Sequence, residues 1–355
     1  MYVISKLHMK LNIKYIVDHE NELWKQIRWN ETPTCQCGST ELYHLSDGRY
    51  KCKHCKKIFS DTTNTIAEHS NLKKWQWLYA IFVMTTTKSI SVRELANHIS
   101  VSVTTAHRML RKIRYYMSKD NFHRTDFAII DEAHIGAWAN MKFGKKFAYM
   151  KQHGFIDPKD NTYTKSQIFA ASSHKKEHIL AIINGDNKCV LRHVRGQIDK
   201  GVIKEIVQQY GIKHIISDES KLYQHIKGTT VEQCNHSKRI WLTDSGLSTN
   251  PCENRFSWTK RIYNYMTHTS ANDLQLYLNQ IAYKINNNRL SSDRSFFHLG
   301  TLCCTEYISH NGITNWLRRN EIVNEPKEID EGILELLNCP FVEKIEHKHK
   351  IYRRK

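Results

Sequence analysis

No apolar run in this 355-residue chain approaches the roughly 20 residues needed to span a bilayer. Met1–Lys10 lacks the apolar core of a signal peptide. These absences argue against membrane insertion. They point to an intracellular chain with reduced thiols, placed in a prokaryotic cytoplasm or nucleoid, or in the nucleus of a eukaryote. The sequence has no internal repeat and no low-complexity tract. Acidic residues are also short: 35 Asp and Glu face 53 Lys and Arg, a net charge of +18 with 21 His uncounted. Such a surplus favours a polyanionic partner, because neutralising phosphates drives non-specific nucleic-acid affinity. Hydrophobic residues at 40% are enough for a sizeable core, and the length fits two or three domains.

Ten cysteines in a reducing compartment need a role other than disulfides. Four fall in two close pairs, Cys35-Gln-Cys37-Gly38 and Cys52-Lys-His-Cys55, with 14 residues separating Cys37 from Cys52. Two such pairs let four thiolates converge tetrahedrally on Zn²⁺, and the metal supplies stability that a module this small lacks. Four protein ligands leave no open position, so the zinc is structural. The first pair has one residue between its cysteines, tighter than the second, which leaves His44 or His54 open as a ligand in place of Cys35. No thioredoxin-like context supports a redox pair. The other six, Cys189, Cys234, Cys252, Cys303, Cys304 and Cys339, read as small buried hydrophobes.

Periodicity organises the rest. Residues 1–30 read as a helical lead-in with an apolar face around Ile13, Tyr15, Ile16 and Trp24. Residues 31–60 carry short β-prone pieces, Tyr43–Leu45 and Arg49–Cys52. Residues 72–118 are helical: Trp75, Trp77, Leu78, Ile81 and Phe82 recur near helical spacing. A second helix starts after Ser91, with Glu94 placed for a capping box, and a third follows Ser100–Ser102. From Asp126 the pattern turns strand-like. Phe127–Ile130, Phe147–Met150, Gln167–Ala171 and His178–Ile183 predict a meander of three strands. An amphipathic helix over Lys200–Tyr210, a buried strand His214–Ser217 and a strand ending in Trp241–Thr243 follow. Pro251 then opens a long helix, and Lys348–Lys355 forms a loose basic tail.

Residues 89–114 fit two short helices joined by a tight turn, a helix-turn-helix in which Leu95 and Ala96 pack on Ala106, Met109 and Leu110. Thr104, Thr105, His107 and Arg108 open the second helix and suit a major groove. Arg111, Lys112 and Arg114 suit phosphates. A plain three-helix bundle with a solvated basic face is the alternative. The neighbouring cysteine module and the charge favour DNA.

Asp131 directly follows the apolar run Phe127–Ile130, Asp218 follows His214–Ser217, and Glu253 sits in the first turn of the helix opened by Pro251. Intervals of 87 and 35 residues separate them. One Asp after a strand is ordinarily a turn residue. Acids at two strand ends and one helix start can converge, and hard oxygen ligands suit Mg²⁺. Two such ions, with Mn²⁺ as a substitute, activate water or a 3′-hydroxyl at a phosphodiester. Lys260, two turns beyond Glu253, would reach a phosphate, and Arg261 adds charge.

These segments resemble the insertion-sequence transposases of the ISXO-like group, related to the Merlin transposons, over roughly residues 20–290. The resemblance rests on Tyr50–Ser60 with Thr62–Ile66, Thr105–Leu110, Ile130–Gly136, Ser217–Tyr223, Asn235–Ser237, Ser248–Trp258 with Lys260, and Asn286–Arg289. It implies an α/β RNase H-like core with a mixed five-stranded sheet, behind a zinc ribbon and an all-α helix-turn-helix domain. It also implies a metal-dependent cut-and-paste reaction on terminal inverted repeats and target DNA, by a homodimer or larger assembly. Three departures stand out: the short first cysteine pair, Ser248 where the family has His, and a stretch beyond about residue 300 with no counterpart. Asn250 is the fallback third metal-site residue, because some relatives use Asn. Glu132 is expected on the opposite strand face from Asp131.

The expected organisation is a lead-in at 1–30, a zinc ribbon at 31–70, a helix-turn-helix domain at 71–120, a catalytic domain at 121–295 and a C-terminal extension at 296–355. Two rivals remain at this level: a regulatory or domesticated DNA-binding protein that no longer cuts, and a structure-specific nuclease with a similar core.

Overall fold

The computed structural model describes residues 11–30, 32–135, 177–235, 238, 240–263 and 271–324. The chain divides into two units. The first comprises residues 1–121, 262–266 and 279–319, and the second 122–261, 267–278 and 320–355. The divide does not follow the expected cut at residue 295.

In the first unit, α1 (Ile13–Asp18) and α2 (Glu20–Trp29) precede a small antiparallel sheet of β1 (Leu42–His44), β2 (Tyr50–Cys52) and β3 (Ile58–Phe59). Helices α3 (Lys74–Thr86), α4 (Val92–His98) and α5 (Val103–Met117) follow. Helix α3 buries Trp77, Leu78, Ala80, Ile81, Val83 and Met84, too wide an apolar girth for a surface helix. The Ser91 hydroxyl accepts from the Glu94 N–H, and the Glu94 carboxylate accepts in return from the Ser91 N–H, so α4 starts at the expected capping box. Ser100 takes φ +53° in the α4–α5 turn, and Ser102 caps α5.

Much of the segment expected as an extension belongs to this helical unit. Helix α9 (Ser292–Leu302) packs on α2, α3 and α5, with the Phe82 and Phe296 rings 6.3 Å apart. A Cβ added at Gly300 would lie 2.9 Å from the Ile27 side chain, so glycine permits this close helix approach. Helix α10 (His310–Asn320) follows.

The second unit is a mixed sheet of six strands among the described residues, one more than the five expected. Its order is β8-β7-β4-β5-β6-β9, with β4 (Phe127–Ile135), β5 (Glu177–Asn184), β6 (Cys189–Gly196), β7 (His214–Ser217), β8 (Thr230–Gln233) and β9 (Ile322–Asn324). Strands β4, β5 and β6 form an antiparallel meander, and β7 runs parallel to β4 and to β8. The sixth strand, β9, pairs parallel to β6. It is too short to stand out in the sequence, and it is fixed by Arg192 donating to the Asn320 carbonyl at 2.7 Å and an Arg195–Glu321 ion pair.

Two strand assignments need correction. The third meander strand is Cys189–Gly196, whose basic residues Arg192 and Arg195 mask its apolar pattern. No strand forms at Trp241–Thr243: Trp241 and Leu242 are exposed, and Thr243 accepts from the Gly246 N–H in a turn. The expected strands Phe147–Met150 and Gln167–Ala171 and the tail Lys348–Lys355 lie outside the described residues.

Helix α6 (Lys200–Tyr210) covers one sheet face, where Ala128, Ile130, Leu180, Ile182, Val190 and Val194 meet Val202, Ile203, Ile206 and Val207. Helix α7 (Asn250–Tyr263) lies on the other face, with the buried Cys252 thiol 3.6 Å from the Ile129 carbonyl. Helix α8 (Leu274–Asn286) begins on that face too, where Gln275 bonds the His193 N–H and the Leu191 carbonyl. Cys189, Cys234, Cys252 and Cys303 are buried and Cys304 half-buried, as expected of small hydrophobes.

Candidate functional site

The two chain features expected to hold metal are built differently. In the ribbon, all four thiols come together, their sulfurs within 4.8 Å of one another. Cys35 and Cys55 are 3.5 Å apart, and Cys37 and Cys52 3.6 Å. Disulfides need about 2.05 Å. A tetrahedron with bonds of about 2.3 Å has edges of about 3.8 Å, so this set fits Zn²⁺. Cys35 therefore completes the group. His44 lies instead beside the Tyr50 ring, at 5.0 Å. The tight first pair is accommodated by Gly38, whose φ of +87° lets its N–H turn back to the Cys35 carbonyl at 2.9 Å. The Cys52 thiol is held down to about 6, first by the Cys55 N–H aimed at its sulfur. Beneath the thiols sit only Tyr50, Phe59, Trp29 and Leu42, a core too small to hold the module without metal. Chelating the zinc should melt this ribbon. We expect about one zinc per chain by elemental analysis, lost in Cys52→Ser, with near-complete retention of the far-ultraviolet signal from the remaining helices.

Sheet register relates two of the three carboxylates. Phe127, Ala128 and Ile129 pair with His214, Ile215 and Ile216, an offset of 87 residues, the same interval that separates Asp131 from Asp218. The two acids thus continue the register of adjacent parallel strands, which lie about 4.8 Å apart. Asp131 shares its strand face with Ile129, the face that α7 covers, and Glu253 lies exposed in the first turn of α7. Asp131 is pushed up to about 7, first by burial, then by the charges of Glu132, Asp218 and Glu253, against the Glu132 N–H that bonds its Oδ1 at 2.8 Å. Asp131 thus feels the charges of both Asp218 and Glu253. Among the described residues, however, only the four thiols bring ligand atoms within 4.8 Å.

Glu132 faces the other side, as alternation requires, and accepts from the hydroxyl of the fully buried Tyr223. Burial raises its pKa, the Asp218 charge adds to this, and the phenol opposes it. The Asp218 loop is tied down as well. Its Oδ1 accepts from the Ser220 N–H at 3.0 Å, and Gln233 of β8 donates to the carbonyls of Asp218 and Ser220 at 2.7 and 2.8 Å. Gln233 escaped the sequence reading because it sits on a separate strand. Tyr223, five residues past Asp218, had a local signal. Asn250 is exposed at the start of α7.

The basic residues divide into two groups. On α5, Thr104 and Arg108 are exposed, while His107 and Thr105 are half-buried, the latter's hydroxyl 2.9 Å from Ser102 Oγ. Arg111 and Arg114 do not face solvent, contrary to the phosphate role expected of them. Arg111 lies 3.2 Å from the His310 ring, and Arg114 donates to Gln280 at 2.9 Å. Half-buried Lys112 donates to the Ile66 carbonyl and lies over Tyr307. The cause is packing: His310 of α10 meets Arg111 and Gln280 of α8 meets Arg114, so these cations become internal donors. On α7, Lys260 and Arg261 are exposed.

A chain that carries a four-cysteine ribbon in one unit and a mixed α/β sheet in the other is the class these features define. Residues 19–58 match the family described as the transposase zinc-ribbon domain, of the IS1595 type. A protein of transposable element ISH50 from Halobacterium salinarum, itself uncharacterized, is 30% identical over 120 residues. The match covers 32% of this chain and 40% of that relative. Both similarities support an insertion-sequence origin, and the ribbon match together with the four converging thiols supports a structural zinc. No described helix is long and apolar enough to cross a membrane.

Proposed function

We propose that the chain is a DNA transposase of the ISXO-like, Merlin-related group, which binds the terminal inverted repeats of its element and cuts and joins DNA with a divalent metal. The observation that carries this reading is the parallel pairing of β4 with β7 at an offset of 87 residues, the interval from Asp131 in β4 to Asp218 just past β7, with Glu253 on the helix over the Ile129 face. The order β6-β5-β4-β7-β8, an antiparallel meander followed by two parallel strands, is the basis for reading the sheet as RNase H-like. The capped pair α4 and α5 is read as a helix-turn-helix. The net charge of +18 and the ribbon's similarity to transposase zinc ribbons favour DNA as partner.

The acidic set fits Mg²⁺: its donors are hard oxygens, and the mutual repulsion felt by Asp131 is the conflict a divalent cation relieves. Two bound ions would activate water or a 3′-hydroxyl and stabilise the leaving oxygen. Asp131, Asp218 and Glu253 hold that charge, with Asn250 as substitute for Glu253. The Glu132 N–H bonds the Asp131 carboxylate, and Gln233 donates to the Asp218 carbonyl, which keeps the first two acids in place. Thr104, Thr105, His107 and Arg108 would read the repeat, and Lys260 and Arg261 would hold phosphates. Two copies on paired ends complete the reaction.

The test incubates purified protein with labelled DNA carrying the repeats that flank its gene, in Mg²⁺ or EDTA, with wild type and Asp218→Ala. Metal-dependent cuts at the repeat tips with joined products, both lost in the variant, are expected. Binding without cutting would favour a domesticated DNA-binding protein, and cutting of branched DNA without end preference a structure-specific nuclease.

A further inference from the structure

The exposed face of α7 carries more than its acid. Its buried side is set by Cys252, Phe256, Thr259 and Ile262, so Glu253, Asn254, Ser257, Trp258, Lys260 and Arg261 all face solvent. The Trp258 indole is left 40% exposed on the helix surface. The Arg261 guanidinium lies 5.6 Å from the Trp258 ring centroid and is steered there by its hydrogen bond to Ser257 Oγ at 3.3 Å. Neither another ring nor another cation contacts Trp258 among the described residues. The indole is thus backed by a cation and has a π-face available.

We propose that Trp258, braced by Arg261, is a stacking platform for an unpaired base of the DNA strand entering the Asp131–Asp218–Glu253 site. This rests on the proposed transposase reading and specifies how that site takes its substrate. Base–aromatic stacking works for any base, because each offers a π-face, and the flanking Lys260 and Arg261 supply the positive charge that tracks a backbone. Trp258 lies five residues beyond Glu253, about 7.5 Å along the helix axis and about 140° around it. At about 3.4 Å per base a base on its ring would lie within roughly four nucleotides of the scissile phosphate. The ring would hold a base out of the duplex there, so that the strand can bend toward acids carried by interior strands of the sheet.

Chemical rescue tests the assignment. Cleavage rates are measured for wild type, Trp258→Ala and Trp258→Phe on repeat-end DNA that is fully paired, mismatched at single positions within about four nucleotides of the cut, or mismatched about ten nucleotides away. Trp258→Ala should cleave paired DNA roughly 5- to 150-fold more slowly. A near mismatch should restore most of that loss, the distant one none, and Trp258→Phe should keep most activity. A variant as fast as wild type on paired DNA overturns the proposal. So does a slow variant that no near mismatch rescues, since a merely structural defect would not depend on base pairing. Thermal unfolding of each variant accompanies the rates. If wild type cuts none of these DNAs, the transposase reading itself fails before any variant is scored.

Discussion

Asp131→Asn should abolish metal-dependent cleavage, by a factor on the order of 10³ or more, and at the same time raise thermal stability. The stability gain follows from the pKa. In the folded chain Asp131 holds its proton up to about 7, against an ordinary value of 3.8. The folded state therefore binds more protons than the unfolded state between these values. The contribution of Asp131 to stability falls as pH rises through this window, and the full penalty remains above it. Asn removes the penalty while its Oδ1 can still accept from the Glu132 N–H. The carboxyl is only partly buried, so the gain at pH 8 should be about 1–2 kcal/mol, well below the full conversion of the shift. That corresponds to a few degrees in melting temperature. The advantage should vanish near pH 4. Mg²⁺ should raise the melting temperature of wild type and leave that of the variant nearly unmoved. A variant that melts lower than wild type at pH 8 without metal would show that the acids do not repel one another as the geometry implies.

That strain explains why the acids were legible in the sequence. Each follows a short apolar run or opens a helix, and a carboxylate there is visible because it interrupts a buried pattern. The interval of 87 residues was visible too, but its meaning as strand register required the pairing of β4 with β7. Helix α6 and strand β7 match the expected bounds, Lys200–Tyr210 and His214–Ser217, because period and caps agree there: Asp199 at the start and Gly211 at the end. Strand β6 was obscured by Arg192 and Arg195, whose charges are satisfied by Asn320 and Glu321, more than 120 residues away. Long-range partners of this kind leave no local trace. The same holds for β9, three residues whose only reason to be extended is the β6 edge. Trp241 and Leu242 misled in the other direction: apolar residues at strand-like spacing are exposed, so burial is not their role.

The basic residues of α5 give the second large effect, because sequence and structure assign them opposite jobs. Arg114→Ala should destabilise the protein by roughly 2–4 kcal/mol in urea unfolding. It removes a charge-assisted bond to Gln280, leaves that amide buried without its partner, and empties space inside the helical unit. Arg108→Ala, six residues earlier on the exposed side, should change stability by no more than about 0.5 kcal/mol. Its effect belongs in DNA binding: roughly a tenfold or greater loss of affinity for the terminal repeat, measured by titration of labelled DNA across salt concentrations. If both arginines contacted phosphate, the two variants would look alike, each folding normally and each lowering the salt dependence of binding by about one ion. An unchanged urea midpoint for Arg114→Ala would contradict the internal role assigned to it. On the proposed reading, helix α5 would have one end that reads DNA and one end that anchors. The division falls where Gln280 and His310 take up its last arginines, so the sequence marks the helix as basic while packing decides which of its charges stay exposed.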